Sequence, residues 1–283
     1  MLTVNNHSRD SAGLTYVYPV ISRRANGLSI GINLNPNNAC NWRCIYCQVP
    51  DLSRGSAPEI DLHCLKKELR SLLVEVQQGD FYERFDVPES QQQIRDIAIS
   101  GNGEPTSAQQ FKAVIDVLEN VLLEVELLGK LNIVVITNGS LVHQARVQSG
   151  LTRLAEIGGE VWFKLDRATD SGLCQINNAA YSMQRVKRNL EIALSRCPVW
   201  IQTCLFSIDG EPPSSHAWQA YLDLLDSFQR ETNQKRLRGV LLYGLARPSM
   251  QPEAQRLKRL SEQTMQQYAD SLHHMGYQVK LNW

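Results

Sequence analysis

Short runs rich in β-branched residues alternate with longer segments of helical periodicity along most of this sequence. We predict strands in six such runs, at 28–35, 95–101, 132–139, 160–166, 199–208 and 238–246. Between the runs, apolar residues recur at intervals of three and four, as in Leu65, Leu69 and Leu72. Repeated strand–helix order joins parallel strands by right-handed crossovers, and such apolar runs indicate strands buried on both faces. The sequence therefore predicts an α/β fold with six βα units in a complete or partial barrel.

The rest of the chain is assigned around this barrel. We predict an N-terminal segment at 1–26, the core barrel at 27–250 and a C-terminal extension at 251–283. The extension has the periodicity of a long helix over 252–274, and a short strand is predicted in the final residues, YQVKLNW. No low-complexity linker divides the chain, and we therefore expect no second domain.

Composition limits the location and the partners of the protein. The 29 basic and 29 acidic residues balance, so no overall field attracts the chain to nucleic acid or to an anionic membrane. The N-terminus lacks the pattern of a secretory signal, and charged residues interrupt the longest apolar stretches. The seven cysteines, an odd number, favour free thiols or metal ligands over a disulfide framework. We expect a cytoplasmic protein with no membrane partner.

Three of the cysteines, Cys40, Cys44 and Cys47, form a CxxxCxxC group after the first predicted strand. A cubane iron–sulfur cluster is normally held by four cysteines, so three thiolates leave one iron free to take another ligand. An open position on a metal is where a substrate can react. The alternative is a structural zinc site completed by His63 or Cys64.

Polar or glycine-containing loops follow four other predicted strands. These loops are GNGEPT at 101–106, TNGS at 137–140, KLDRAT at 164–169 and GLARPS at 244–249. In parallel α/β folds, ligands bind at the carboxyl ends of the strands, on the loops that follow them. The sequence therefore predicts that these loops and the cysteine group converge on one cleft.

The cysteine group, with Tyr46 before its third cysteine, and Gly103-Glu104-Pro105 at the second strand end resemble the motifs of the radical S-adenosylmethionine (SAM) enzymes. The resemblance implies a partial TIM-type barrel, a [4Fe-4S] cluster on the three cysteines, and SAM on the fourth iron. It also implies that the reduced cluster cleaves SAM to methionine and a 5'-deoxyadenosyl radical, which abstracts hydrogen from a substrate. A flavodoxin- or ferredoxin-like protein is the expected electron donor.

Within that superfamily the chain resembles the wyosine-synthase-like group, roughly from Tyr16 to Arg247. This resemblance rests on segments such as SGNGEPT, FKLDRATD, QINN and LYGLARPS. Wyosine synthases that act on transfer RNA carry extra upstream cysteines, whereas residues 1–39 contain none. The resemblance therefore leaves the substrate open between a small molecule and a nucleotide-like group such as a modified RNA base. Transfer RNA is a candidate partner that the balanced charge does not indicate.

The strand-end loops also supply the predicted cofactor contacts. Their glycines let the backbone approach a ligand closely, and Glu104 can accept a hydrogen bond from the ammonium group of SAM. Thr137 and Asn138 suit ribose hydroxyls. Two alternatives stay open, since Glu104 could instead mark a helix start and Arg247 could cap a helix end rather than neutralise a carboxylate. The predicted cofactor-binding residues are Tyr46, Gly101, Asn102, Gly103, Glu104, Thr137, Asn138, Gln202 and Arg247.

Polar residues also interrupt the fourth and fifth predicted strands. By the two-residue period, Lys164 and Asp166 share one face, and Gln202 and Cys204 share a face of the next strand. We expect these side chains at the barrel mouth, because burying an unpaired charge is costly. Lys164, Asp166 and Cys204 are therefore the predicted catalytic residues. The alternative is a structural ion pair between Lys164 and Asp166.

Two functions are compatible with these features. The first is a radical SAM enzyme, and the second is a non-catalytic iron–sulfur protein, either a redox or iron sensor or an RNA-binding module. A sensor has no need of a SAM pocket, yet this chain retains both Glu104 and the TNG element at 137–139. That retention favours the enzyme.

Overall fold

A computed structural model describes residues 12–22, 27–229 and 236–282 of the chain. Within these ranges the strands are β1 (Val17–Ser22), β2 (Gly27–Ile32), β3 (Ala39–Cys40), β4 (Ser53–Arg54), β5 (Ile94–Ile99), β6 (Asn132–Thr137), β7 (Glu160–Lys164), β8 (Val199–Cys204), β9 (Ser207–Ile208), β10 (Leu237–Tyr243), β11 (Leu257–Lys258) and β12 (Val279–Asn282). The α-helices are α1 (Leu62–Gln78), α2 (Phe81–Arg84), α3 (Phe111–Glu124), α4 (Ala145–Glu156), α5 (Asp170–Asn177), α6 (Met183–Arg196), α7 (Ser215–Gln229) and α8 (Glu262–His274).

The main sheet has eight strands in the order β1-β2-β5-β6-β7-β8-β10-β12. All neighbouring pairs are parallel except β1 and β2, which are antiparallel. In the described part of the chain β1 does not pair with β12, so the sheet stays open, as in a partial barrel. The predicted α/β fold of six βα units is thus confirmed, with a strand added at each edge.

Helices cover the outer face of the sheet, and the apolar core lies between the two layers. Phe111, Val114 and Leu118 of α3 are fully buried there, as the apolar spacing predicts. Ser182 begins α6 by accepting a hydrogen bond from the backbone N–H of Arg185. The inner face of the sheet carries the polar residues instead, and this face forms the wall of a cavity.

The first edge strand is held by a single carboxylate. Glu68 of α1 is buried and accepts hydrogen bonds from the backbone N–H groups of Thr15, Tyr16 and Val17, at 2.8, 2.8 and 3.2 Å. These bonds fix the entry into β1. Strands β1 and β12 belong to the predicted N-terminal segment and C-terminal extension, yet both join the sheet of the core; the division at 26 and 250 stays a prediction.

The C-terminal helix is shorter than predicted. It begins at Glu262 rather than Pro252, and the Ser261 side chain accepts a hydrogen bond from the backbone N–H of Thr264 at the new start. Upstream, residues 257–258 form β11, which pairs with β9. This tertiary pairing overrides the local helical periodicity. The predicted terminal strand is present as β12. None of the helices in the described ranges combines the length and apolar character needed to span a lipid bilayer.

Candidate functional site

A cavity of about 310 Å³ opens at the carboxyl ends of the parallel strands and extends into the barrel. The loops expected to converge do so here. The predicted site residues that line it are Cys40, Cys44, Tyr46, Cys47, Gly101, Asn102, Gly103, Glu104, Asn138, Lys164, Gln202, Cys204 and Arg247. Thr137 and Asp166, the two other predicted site residues, are not part of its lining.

Cys40 is the last residue of β3, and Cys44 and Cys47 lie in the segment that joins β3 to β4; residues 40–47 are called the cysteine loop below. The backbone N–H of Cys47 donates to the carbonyl of Cys44 at 2.9 Å, which closes a tight turn between the second and third cysteines. Burial raises the pKa of the Cys40 thiol to about 12 and that of Cys44 to about 11. These two thiols are therefore protonated at neutral pH, and a metal that binds them has to displace both protons.

Two segments hold the cysteine loop from opposite sides. At the end of α5, the carbonyl of Asn177 accepts from the backbone N–H of Arg43 at 3.1 Å, and the carbonyl of Ile176 accepts from that of Ile45 at 2.8 Å. These two bonds flank Cys44. Two backbone hydrogen bonds thus attach the cysteine loop to the end of α5, although the two segments are far apart in sequence.

The segment after β10 holds the other side. The hydroxyl of Ser249 donates to the carbonyl of Ile45 at 2.7 Å, and the backbone N–H of Met250 donates to that of Cys47 at 2.8 Å. Arg43 forms a bidentate ion pair with Glu253, at 2.7 and 2.8 Å. Such forked pairs fix geometry as well as charge. Ser249 of the GLARPS motif and the residues that follow it therefore support the cysteine loop.

The alternative zinc site is not formed. His63 and Cys64 lie in the first turn of α1, outside the cavity lining, and the Cys64 thiol contacts Glu68 at 3.5 Å instead. The described residues contain no group of three or more His, Cys, Asp or Glu side chains arranged to hold a metal ion. A cubane cluster is wider than a single ion, so its cysteine ligands need not meet at one point.

Glu104 lies at the end of β5 and is only 2% exposed. One carboxylate oxygen accepts from the hydroxyls of Thr106 and Thr137, at 2.6 and 2.5 Å, and also from the Thr106 backbone N–H. The other accepts from the Asn138 backbone N–H at 2.6 Å. Burial raises the pKa of this carboxyl group, against the lowering effect of these bonds. The alternative role, a surface carboxylate at the start of the helix in FKAVIDVLEN, is wrong: Glu104 is buried and precedes only the short 3₁₀ turn Pro105–Ser107, whereas α3 begins after Gln110.

Thr137 and Asn138 are occupied by contacts within the protein. The Thr137 hydroxyl donates to Glu104, which places this residue behind the cavity wall. The side-chain nitrogen of Asn138 donates to the amide oxygen of Asn41 at 2.8 Å, and its oxygen accepts from the Ser140 backbone N–H. Both residues therefore orient the Glu104 and cysteine loops, and their predicted ribose contacts stay untested.

The glycines of the GNGEP loop permit a close approach to the cysteine loop. A Cβ atom on Gly103 would collide with the backbone carbonyl of Ala39, the residue before Cys40. A Cβ atom on Gly101 would collide with the side chain of Asn33 at the end of β2. At both positions the atoms in the way include backbone, the Ala39 carbonyl at Gly103 and the Asn33 Cα at Gly101, and backbone cannot move aside cheaply. Only glycine therefore fits at these two positions.

Lys164 and Asp166 do not pair with each other, although both belong to the described residues. The Lys164 ammonium lies 4.9 Å from the centre of the Tyr46 ring and 3.3 Å from the hydroxyl of Tyr243. Asp166 accepts hydrogen bonds from the Tyr46 hydroxyl at 2.5 Å and from the Cys204 backbone N–H at 2.9 Å. Lys164 therefore faces the cavity, whereas Asp166 is tied into its wall.

Two buried side-chain oxygens in the cavity wall, those of Asn102 and Gln202, have no hydrogen-bond partner among the described residues. Buried acceptors without donors are costly, so they favour a ligand that carries N–H or O–H groups. SAM carries such groups on its ammonium, its adenine and its ribose. The orphaned oxygens, the three cysteines and the glycine-lined approach thus fit a cluster with SAM.

Comparison with known proteins defines the class. The sequence model of the Radical SAM superfamily matches residues 34–215, and this chain belongs to that superfamily. The protein is therefore an enzyme whose cofactors are a [4Fe-4S] cluster and SAM. Membership in a superfamily of enzymes supports the first of the two predicted functions over a non-catalytic sensor.

Individual relatives agree in fold. A radical SAM methyltransferase from Sphaerobacter thermophilus superposes with a TM-score of 0.59 at 15% identity, over 94% of this chain and 68% of that one. A structure of TYW1 with a lysine-pyruvate adduct bound superposes with a TM-score of 0.57 at 14% identity, over 88% of this chain and 74% of that one.

One curated protein is similar in sequence. GTPase Obg from Brachyspira hyodysenteriae (strain ATCC 49526 / WA1) is 29% identical over 133 residues, which are 47% of this chain but 17% of that protein.

Two residues at the site, Tyr243 and Asn177, were not predicted from the sequence. Tyr243 lines the cavity and contacts Lys164, and its place at the end of a predicted strand was a usable signal. Asn177 contacts the thiol of Cys44 through its side-chain nitrogen at 3.2 Å. Asn177 belongs to the QINN segment on which the family resemblance rests, but local periodicity gives no indication of its contact with Cys44.

Proposed function

We propose that Cys40, Cys44 and Cys47 hold the [4Fe-4S] cluster, that Glu104 binds the ammonium group of SAM, and that a small or nucleotide-like substrate binds deeper in the same cavity. The observation that carries this proposal is the convergence of the cysteine loop, the GNGEP loop and Lys164 on one cavity. Its volume of about 310 Å³ is near the lower end of typical ligand sites, which span ~300–1,000 Å³.

When bound to Cys40, Cys44 and Cys47, the cluster would supply the electron for reductive cleavage of SAM. The protein's own residues position the reactants. Gly103 lets the loop lie against the backbone next to Cys40, so that Glu104 and Cys40 are neighbours in one wall, and Gly101 lets it lie against Asn33. Asn102 and Gln202 offer their unpaired oxygens to donor groups of the ligands, and Arg247 and Cys204 complete the lining. A flavodoxin- or ferredoxin-like reductant is the proposed electron source.

The proposal predicts SAM cleavage by the isolated enzyme. Protein reconstituted with iron and sulfide under anaerobic conditions, then reduced with dithionite, should convert SAM to methionine and 5'-deoxyadenosine in equal amounts. Liquid chromatography with mass detection measures both products. Intact SAM in the presence of a loaded and reducible cluster would contradict the proposal.

The charge in the cavity wall favours an anionic substrate group. Lys164 is the one lysine among the described lining residues, and Gln202 and Tyr243 flank it on the two next strands. Lys164 is half-buried, and an ammonium group in a cavity binds a carboxylate or phosphate more strongly than one on the open surface, because less water competes. The TYW1 structure similar to this chain has a lysine-pyruvate adduct bound, so pyruvate is a suitable first probe for Lys164.

Changing Lys164 to methionine tests this assignment. We expect Lys164→Met to weaken pyruvate binding at least tenfold, because a hydrogen bond to a charged group contributes ~1.5–3 kcal/mol. Cleavage of SAM in the absence of pyruvate should persist, since methionine keeps the length and packing of the side chain. Calorimetry and the 5'-deoxyadenosine assay measure the two effects. Lys66→Met, which removes a surface lysine paired with Glu124, is the matched control.

A nucleotide-like group carried by transfer RNA is the second substrate candidate. Its anionic phosphates would suit the same ammonium, and the unpaired oxygens of Asn102 and Gln202 would suit a base edge. Binding driven by phosphates weakens as the salt concentration rises. Filter binding of transfer RNA across a salt series, compared with pyruvate binding, decides between the two substrate classes.

A further inference from the structure

The side chain of Asn177 touches both the cysteine loop and the wall behind it. Asn177 is the last residue of α5 and is completely buried. Its side-chain nitrogen lies 3.2 Å from the sulfur of Cys44 and 2.8 Å from a carboxylate oxygen of Asp166. An amide group has two N–H bonds, so both contacts can be made at once.

Asp166 decides which way this amide points. The Asp166 carboxylate is buried and only accepts hydrogen bonds, so the nitrogen of Asn177 rather than its oxygen must face it. The same carboxylate also accepts from the Tyr46 hydroxyl, which adds a second anchor in the cysteine loop. With one N–H directed at Asp166, the other is directed at the sulfur of Cys44.

Hydrogen bonds between Arg43 and residues 177 and 178 hold the Asn177 side chain beside the Cys44 sulfur. The Asn177 carbonyl accepts from the N–H of Arg43, next to Cys44. Asn178 takes a left-handed conformation, with φ of 47°, and its side-chain nitrogen donates to the Arg43 carbonyl at 2.9 Å. The oxygen of the Asn177 amide has no partner among the described residues, so the nitrogen contacts alone orient the group.

We propose that Asn177 is a positioning residue that donates an N–H···S hydrogen bond to the Cys44 thiolate and raises the reduction potential of the cluster. The inference rests on the proposed role of Cys44 as a cluster ligand. Reduction adds negative charge to the cluster and its sulfurs, so a hydrogen-bond donor stabilises the reduced form more than the oxidised form. Asp166 then acts through Asn177, by holding the donor in place.

Two variants test the inference through the cluster potential. Asn177→Ala removes the donor, and Asn177→Asp replaces it with an acceptor of nearly the same shape. We expect both to shift the midpoint potential to more negative values. A tenfold fall in the reduction equilibrium constant corresponds to a shift of about 59 mV for a one-electron couple. Potentiometry followed by electron paramagnetic resonance of the reduced cluster gives this value without any measurement of catalysis.

Asn178→Gly is the matched control. This variant removes the hydrogen bond from the Asn178 side chain to the Arg43 carbonyl in the cysteine loop but removes no contact with a sulfur atom. Glycine also tolerates the left-handed conformation found at this position. Its potential should equal that of the unchanged protein. If Asn177→Ala and Asn177→Asp also have the unchanged potential, the inference is wrong, whether or not the enzyme cleaves SAM.

A second measurement covers variants that fail to hold a cluster. Among the described residues, Asn177 has the one asparagine side-chain nitrogen in hydrogen-bond contact with a sulfur of the cysteine group. Unchanged protein with ¹⁵N in its asparagine side chains should therefore show a ¹⁵N coupling to the reduced cluster in pulsed electron paramagnetic resonance. The absence of that coupling would overturn the inference, and its presence would support it.

Discussion

Replacing Cys44 by alanine should give a folded protein that binds no [4Fe-4S] cluster and forms no 5'-deoxyadenosine above background. The loss should be complete, because two remaining thiols cannot hold a cluster that already lacks a fourth cysteine. His63 and Cys64, the nearest alternative ligands considered, lie on α1 outside the cavity lining. Iron and sulfide analysis, visible absorption and the 5'-deoxyadenosine assay measure the effect.

The controls for this variant are cysteines outside the cysteine group. Cys64→Ala changes a thiol outside the cavity lining, and Cys174→Ala changes an exposed thiol on α5. Both should retain cluster and activity. Circular dichroism should show the same secondary structure for all three variants. Full SAM cleavage by Cys44→Ala would refute the proposed ligand set.

Sequence periodicity located the parallel strands because their burial on both faces leaves a direct compositional trace. Strand β8 shows this plainly, since all six of its residues are buried. Strand β1 was not predicted, although five of its six residues are also buried. It contains Pro19, pairs only at the sheet edge, and owes its position to the bonds from its entry to Glu68, a residue more than 50 positions away. Long-range contacts of this kind are not encoded in a local period.

The same limit applies within the site. The two-residue period correctly brought Lys164 into the cavity, but β7 ends at that residue. Asp166 lies beyond the strand, where the alternation of faces no longer holds, and its side chain turns into the wall toward Tyr46 and Asn177. Strand-end motifs therefore predicted which loops meet, whereas the orientation of each side chain depends on partners from distant segments.

Replacing Glu104 by glutamine is the other change with a large expected effect. Glu104→Gln should load its cluster normally but bind SAM about 10- to 100-fold more weakly, since a hydrogen bond between charged groups contributes ~1.5–3 kcal/mol. Equilibrium dialysis with labelled SAM measures the affinity, and iron analysis confirms the cluster. Glu119→Gln, which removes a carboxylate paired with Arg153 on the helical face, should leave both quantities unchanged.

The reason lies in the charge balance around this carboxylate. Four hydrogen bonds from Thr106, Thr137 and Asn138 satisfy its oxygens, yet no lysine or arginine in the described residues pairs with it. Burial raises the pKa of the Glu104 carboxyl group, because the hydrogen bonds to its ionised form do not fully replace the water lost on burial. A cationic ligand would supply the missing charge, and the ammonium of SAM is such a cation. Unchanged SAM affinity in Glu104→Gln would show that this ammonium binds elsewhere and that the buried charge serves only to hold the loop.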